Sequence, residues 1–224
     1  MIRHQRAAGT WWTSTVPSNR NRKISLPGDL SPRVIEVLDA SAHSLAESGA
    51  IVICGLPASG KSTAATYLAD RIGAPVFDKD GFAPGLEEAV MTRLTGDPFD
   101  RDSDVYRTVV SPHLYDGLVH AAFTVAAHHP VIIDAPLISF IRQAASSGST
   151  LTEYLWTRSG LTPNAIVTTM WFDSANNDIR TRMLARGAAR DVPKLTNWDT
   201  YESQVLDGGV RTAARAIVDI VVTN

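Results

Sequence analysis

The chain has 224 residues, 44% of them hydrophobic and 20% charged, which excludes a disordered or fibrous class and suits one domain with a sizeable core, or a core carrying a lid. A formal net charge of -2 supplies no global field to draw the protein onto nucleic acid or an anionic membrane. No uninterrupted apolar stretch approaches the roughly 20 residues that span a bilayer, and Met1-Ile2-Arg3-His4-Gln5-Arg6 lacks the apolar segment of a secretory signal, so a cytoplasmic location is expected.

Residues 1–30 carry Arg3, Arg6, Arg20, Arg22 and Lys23 with no acid before Asp29, and are rich in Ser, Thr, Pro and Asn. The composition predicts a mobile arm, with Trp11 and Trp12 docked on the body or on a partner, because adjacent indoles are costly to leave in water. A nucleic-acid arm is the other reading of the same charge. Residues 31–224 form the domain proper. Ser31-Pro32 supplies an N-cap and a proline at the first helical position, and Val34, Ile35, Val37, Leu38 and Leu45 recur at helical spacing up to Gly49.

The first strand, Ile51 to Cys54, contains the single cysteine, which reads as a small buried hydrophobe in a reducing compartment. Directly after it, Gly55-Leu56-Pro57-Ala58-Ser59-Gly60-Lys61-Ser62-Thr63 fits G-x-x-x-x-G-K-[ST] at every fixed position, and a helical pattern begins at Lys61. Gly55 and Gly60 let the backbone curl so that the N–H groups of the loop, Pro57, Ala58 and Ser59 included in its course, surround phosphate oxygens, and the helix start offers its dipole to the same anion. Lys61 is expected to reach the β- and γ-phosphates and Ser62 to ligate Mg²⁺, with Thr63 beside it. The chain is therefore expected to bind ATP with Mg²⁺; there is no Asn-Lys-x-Asp segment to read guanine.

A second strand, Pro75 to Phe77, leads into Asp78-Lys79-Asp80-Gly81-Phe82. A carboxylate at the carboxyl edge of a parallel sheet stands where ligands bind and can accept a hydroxyl proton while aiming that oxygen at the γ-phosphate; Asp80 is the first choice for this base and Asp78 the second. The alternative for both is a capped turn. A helix is expected from Pro84. Gly96 to Val105 reads as an exposed loop over the acceptor side, where Arg101 and Arg107 face an anionic acceptor or Asp97, Asp100, Asp102 and Asp104 an ammonium group; acids outnumber bases there, which favours a neutral or cationic hydroxyl compound.

Helices are expected from Ser111, Pro136, Leu151, Ser174 and Thr196, and strands at Val131 to Ile133, Ile166 to Phe172 and Ile217 to Val222. The third strand ends in Asp134, placed for the Mg²⁺ shell and the acceptor side, and is followed by Ala135 rather than the glutamate that activates water in motor ATPases. After the fourth strand, the helix Asn176 to Arg186 puts Arg182 and Arg186 four apart on one face without matching acids, and Arg190 follows. Three guanidiniums suit a lid, about residues 180–195, that closes over phosphates, with Arg182 on the nucleotide and Arg186 and Arg190 on the transferring group. His113, His120, His128 and His129 lack metal-ligand spacing. Strands alternating with helices predict an α/β fold: a doubly wound, parallel, five-stranded sheet with helices on both faces and a small arginine-bearing lid.

The phosphate loop, the aspartate after strand two and the arginine-bearing helix ending in Arg190-Asp191 together resemble the small P-loop kinases of the adenylate-kinase-like group, in the AAA_33/zeta-toxin/chloramphenicol phosphotransferase-like branch. The likeness covers about Ile51 to Asn224. It implies a P-loop NTPase fold, Lys61 and Ser62 as nucleotide ligands, Asp80 as base, and Arg186 and Arg190 as lid arginines. Phe82, Ala83 and Pro84 stand where many members of the branch place an arginine that grips the acceptor. The expected activity is transfer of the γ-phosphoryl group of ATP to a hydroxyl of a small molecule such as a sugar, antibiotic or nucleoside, by a monomer or homodimer with no membrane partner. A nucleotide or polynucleotide-end kinase, and a nucleotide-dependent switch or ATPase, are the alternatives.

Overall fold

The structure, a computed structural model, describes residues 30–45, 47–101, 103–188 and 191–224. Trp11, Trp12 and nearly all of the expected arm, together with Asp102 and Arg190, lie outside them. Helix α1 (Pro32–Ser44) opens as expected: the Ser31 hydroxyl accepts the Val34 N–H and Pro32 fills the first turn. Val34, Leu38 and Ala42, spaced by four, form its buried stripe.

Strand β1 (Gly49–Gly55) is buried along its whole length. Its alternate residues serve two cores, since successive side chains of a strand point to opposite faces. Ile51 and Ile53 pack with α1, with α2 (Lys61–Ile72), and with Ile132, Met170, Phe172 and Val222. Ala50, Val52 and Cys54 pack on the other face with Val131, Ile133, Trp171 and the helices α5 (Ser111–Ala126), α6 (Ile138–Ser147) and α7 (Leu151–Ser159). Phe123 of α5 and Trp156 of α7 meet there with ring centroids 4.4 Å apart.

β2 (Val76–Asp78), β3 (Pro130–Asp134), β4 (Val167–Asp173) and β5 (Ile220–Thr223) complete a parallel sheet in the order β2-β3-β1-β4-β5. Every crossover carries a helix, so all five strands send their carboxyl ends to one edge. β2 is an edge strand, and Asp78 pairs in register with Asp134. Between β2 and β3 lie α3 (Lys79–Phe82), α4 (Pro84–Thr95) and a π-helical turn, Tyr106–Val110, that runs into α5. The Ser111 N–H reaches back five residues to the Tyr106 carbonyl, immediately before Pro112, which has no N–H to offer.

Several boundaries differ from expectation. α3 begins directly after Asp78, ahead of the helix expected from Pro84, and the expected loop ends early, its last two residues, 104 and 105, being helical. α6 starts at Ile138 rather than Pro136, after Leu137 at a φ of 51°. The segment expected to turn helical at Thr196 is helical already in α9 (Val192–Thr196), then α10 (Trp198–Tyr201) and a π-helical turn, Glu202–Leu206. The final strand starts at Ile220, not Ile217, because α11 (Val210–Ile217) occupies the first part of that apolar run. Asp219 marks the switch: its carboxylate accepts from the Thr169 N–H and hydroxyl, both at 2.7 Å, and pins the start of β5 to β4.

Candidate active site

The phosphate loop leaves the sheet at its centre. Gly55 has a φ of 150°, and a Cβ there would stand 2.5 Å from the Phe172 carbonyl oxygen, so a side chain would push β1 away from β4. Gly60 takes a φ of 98° where α2 begins, and Ala58, between them, also has a positive φ of 59°. Pro57 and Ala58 are half-buried at the tip. Lys61 is buried, and its ammonium donates to the Leu56 carbonyl at 2.7 Å. Burial lowers its pKa to about 8, opposed chiefly by the Asp134 charge. Ser62 is exposed at the helix start, near enough for its hydroxyl to favour the Asp134 carboxylate, while Thr63 is half-buried in the first turn.

Asp134 is buried at the end of β3, and burial pushes its carboxyl above the usual range; the Ser62 hydroxyl and the Lys61 charge oppose this, and Asp78 and Asp80 add to it. The loop fits a nucleotide with a divalent cation. Ser59 Oγ is buried without a hydrogen-bond partner, the two glycines take the positive φ values of 150° and 98° that curl the loop, and three carboxylates share one edge of the sheet. Among the described residues no group of three or more His, Cys, Asp or Glu side chains is arranged to hold a metal. Mg²⁺ does not require one, since it is commonly held by one or two protein oxygens together with phosphate oxygens and water.

Asp78 is spent locally: its carboxylate caps α3 by accepting the Asp80 and Gly81 N–H groups at 3.3 and 2.9 Å. The capped-turn alternative thus describes Asp78. Asp80 is left 45% exposed, with the Lys79 ammonium at 3.4 Å and an Arg101 nitrogen at 4.0 Å. Both cations are held by a residue that the sequence reading passed over. Glu87 has a side chain 1% exposed, and accepts from Lys79 at 2.9 Å, Arg101 at 3.0 Å and the Tyr106 hydroxyl at 2.6 Å. An available signal was its position four before Met91 on the inward stripe of α4, where an acid must find a partner. Arg107 stands apart from this group on the surface, paired with Asp104 at 2.5 Å.

The expected arginine face without acids is corrected. Asp191, 1% exposed, takes Arg186 through two bonds of 2.5 and 2.8 Å, a bidentate pair that the spacing along one helix did not show because the acid lies beyond the helix end. Arg186 still lies close enough to depress the Lys61 pKa. Arg182 donates to the Ala58 carbonyl at 3.3 Å and to Ser174 Oγ at 3.0 Å. α8 (Asn176–Arg186), which carries both arginines, is anchored to the main core by Ile179 and Met183. A cavity of about 270 Å³ lined by Val76, Phe77, Asp78, Gly81 and Phe82 opens along β2.

A family model described as an AAA domain, AAA_33, matches residues 51–206. The chain belongs to the AAA_33 family. The matched span runs from β1 to the end of the second π-helical turn, and so leaves α11 and β5 outside, where the expected likeness reached Asn224. No curated protein sequence matches this AAA_33 chain. Solved structures similar to it include shikimate kinase from Acinetobacter baumannii, 13% identical with a TM-score of 0.46, covering 82% of this chain and 87% of that one. Others are a gluconokinase from Sinorhizobium meliloti, 17% identical at 0.41 over 79% and 82%, and deoxyadenosine kinase from M. mycoides, 12% identical at 0.39 over 78% and 88%. Among the described residues no helix is long and apolar enough to cross a membrane.

Proposed function

We propose that this AAA_33 protein is an ATP-dependent phosphotransferase that moves the γ-phosphoryl group to a hydroxyl of a small molecule. The observation that carries the reading is the layout of one sheet edge: Asp134 lies in register with Ile53, just before the phosphate loop, and with Asp78, which leads into Asp80, so the phosphate loop, the candidate metal ligand and the candidate base stand at the carboxyl ends of neighbouring strands. Ser62 and Asp134 would hold Mg²⁺, which would supply positive charge to offset that developing on the transferring phosphoryl group. Lys61 binds the β- and γ-phosphates and Arg186 offsets charge on the transferring group.

Asp80 is the base. It accepts the proton of the acceptor hydroxyl; the freed oxygen forms the new O–P bond as the bond between the γ-phosphorus and the bridging oxygen breaks, and ADP leaves with that electron pair. Asp78 supports this step by fixing the turn rather than by touching the acceptor. Ala135 after Asp134 disfavours water as the attacking group, which weighs against a dedicated ATPase.

The test is incubation with γ-labelled ATP, Mg²⁺ and pooled sugars, aminoglycosides, nucleosides, nucleotides and oligonucleotides, beside Asp80→Asn. Transfer to one pool, reduced by about 100-fold or more in Asp80→Asn, is the expected result. Label released to water at the same rate with every pool, and retained by Asp80→Asn, would overturn both the base and the kinase.

A further inference from the structure

Ala58 and Ser59 form the tip of the phosphate loop, and side chains from three separate elements take hold of their carbonyl oxygens. Arg182, on α8, reaches the Ala58 carbonyl at 3.3 Å. The Asn224 side-chain amide, beyond β5, donates to the Ser59 carbonyl at 3.1 Å. Ser174, at the end of β4, links the two: its buried hydroxyl accepts from Arg182 at 3.0 Å and lies 3.2 Å from the Ser59 carbonyl and 2.8 Å from the Asn224 carbonyl, one of which takes its proton. The Asn224 N–H, meanwhile, bonds the Asp173 carbonyl at 2.9 Å, which fixes Asn224 in place.

Peptide units are planar, and the described ones are all trans, so a carbonyl held in one direction sends the N–H of the next residue the opposite way. Holding the Ser59 carbonyl toward the Asn224 amide therefore turns the Gly60 N–H away from Asn224 and into the loop. Glycine places little restraint of its own on that plane, and the seat is tight, since a Cβ on Gly60 would come within 2.4 Å of the Asn224 amide nitrogen. Donors fixed before the anion arrives bind it without a further ordering cost.

We propose that Arg182, Ser174 and Asn224 are positioning residues that clamp the phosphate loop, so that Arg182 acts on a nucleotide through the loop backbone and not as a ligand of its terminal phosphate. The inference rests on the nucleotide-binding reading of that loop. The two roles of Arg182 separate by ligand: loss of a γ-phosphate ligand weakens the triphosphate and spares the diphosphate, whereas loss of a clamp on a loop that cradles the β-phosphate weakens both alike.

The experiment is calorimetric titration of Mg·ADP and Mg·AMP-PNP into the full chain and into Arg182→Gln, Ser174→Ala and Asn224→Ala, with amide exchange of residues 55–62 in the nucleotide-free proteins. Arg182→Gln is expected to weaken both nucleotides by the same factor, about tenfold, and Asn224→Ala by about fivefold. The loop amides are expected to exchange faster while those of β1 stay protected, a local change that general destabilisation would not produce. Selective loss of AMP-PNP in Arg182→Gln, or wild-type affinity and exchange in Asn224→Ala, overturns the clamp while leaving the nucleotide reading intact. Failure of the wild-type chain to bind either nucleotide overturns both. Should Arg182→Gln not fold, Arg182→Lys is read against the same two nucleotides with the same outcomes, and Asn224→Ala still tests the clamp by itself.

Discussion

Lys61 keeps its ammonium in a position nearly closed to solvent, where burial holds the pKa near 8 instead of 10.5. Below pH 8 folded and unfolded chains both carry the proton and the folded one bears the cost of burying it; that cost is relieved as pH rises from about 8 to 10.5, so this group alone makes the fold more stable in alkali. A bound polyphosphate reverses the balance by favouring the ammonium. Nucleotide binding at pH 8.5 should therefore take up a fraction of a proton, and at pH 6.5 none through Lys61, as measured by titration calorimetry in buffers of different ionisation enthalpy. Cys54, in contrast, has its thiol pushed up to about 12 by burial and should resist alkylation in the folded protein. Gly55 offers a separate test. Gly55→Ala places a methyl against the Phe172 carbonyl at a φ that L side chains rarely adopt, and should cost about 2–4 kcal/mol in urea unfolding.

At the scale of elements, Glu87 joins its own helix α4 to α3, the loop carrying Arg101 and the π-helical turn, because a single carboxylate meets one residue from each of those three. Glu87→Ala would leave two cations without their buried counter-charge and should destabilise the protein by about 3–5 kcal/mol, with faster amide exchange in α4 and the π-helical turn ahead of β1 and β3. The sequence could not show this group. Lys79, Glu87, Arg101 and Tyr106 are spread over 28 positions with no periodicity, and only tertiary packing brings them together. Lys61 and Ser62 were legible because glycine spacing, strand and helix start are all local. Asp134 was legible because it ends an apolar run. The α11–β5 boundary was hidden because alanine, isoleucine and valine continue across it, and the acid that faces Arg186 was missed because Asp191 follows the helix instead of sharing its face.

At the scale of the whole molecule, the described residues form two hydrophobic cores back to back on one sheet. Leu38 belongs to one and Phe123 to the other, both with no exposed surface. Leu38→Ala and Phe123→Ala should each cost about 3–5 kcal/mol. Because β1 contributes alternate residues to both cores, the two variants should lower the midpoint of the same single urea transition; two separable transitions would show that the cores fold independently. The fold class was readable at this scale because strands buried on both faces leave continuous apolar runs, a pattern that does not depend on where each run begins.

β2 stands at the margin of that sheet, three residues long and paired on one flank only, yet it carries Asp78 and leads into Asp80. The phosphate loop and Asp134 sit instead on the two strands nearest the centre. Mutational tolerance should follow the same division. Lengthening or recomposing the chain between Asp80 and Tyr106 disturbs one short marginal pairing and the Glu87 group, while the half that carries the phosphate loop stays fixed by both cores. Under the proposed function, such a layout would let acceptor preference drift over evolutionary time, or be exchanged by grafting that segment between relatives, without rebuilding the machinery that holds the donor.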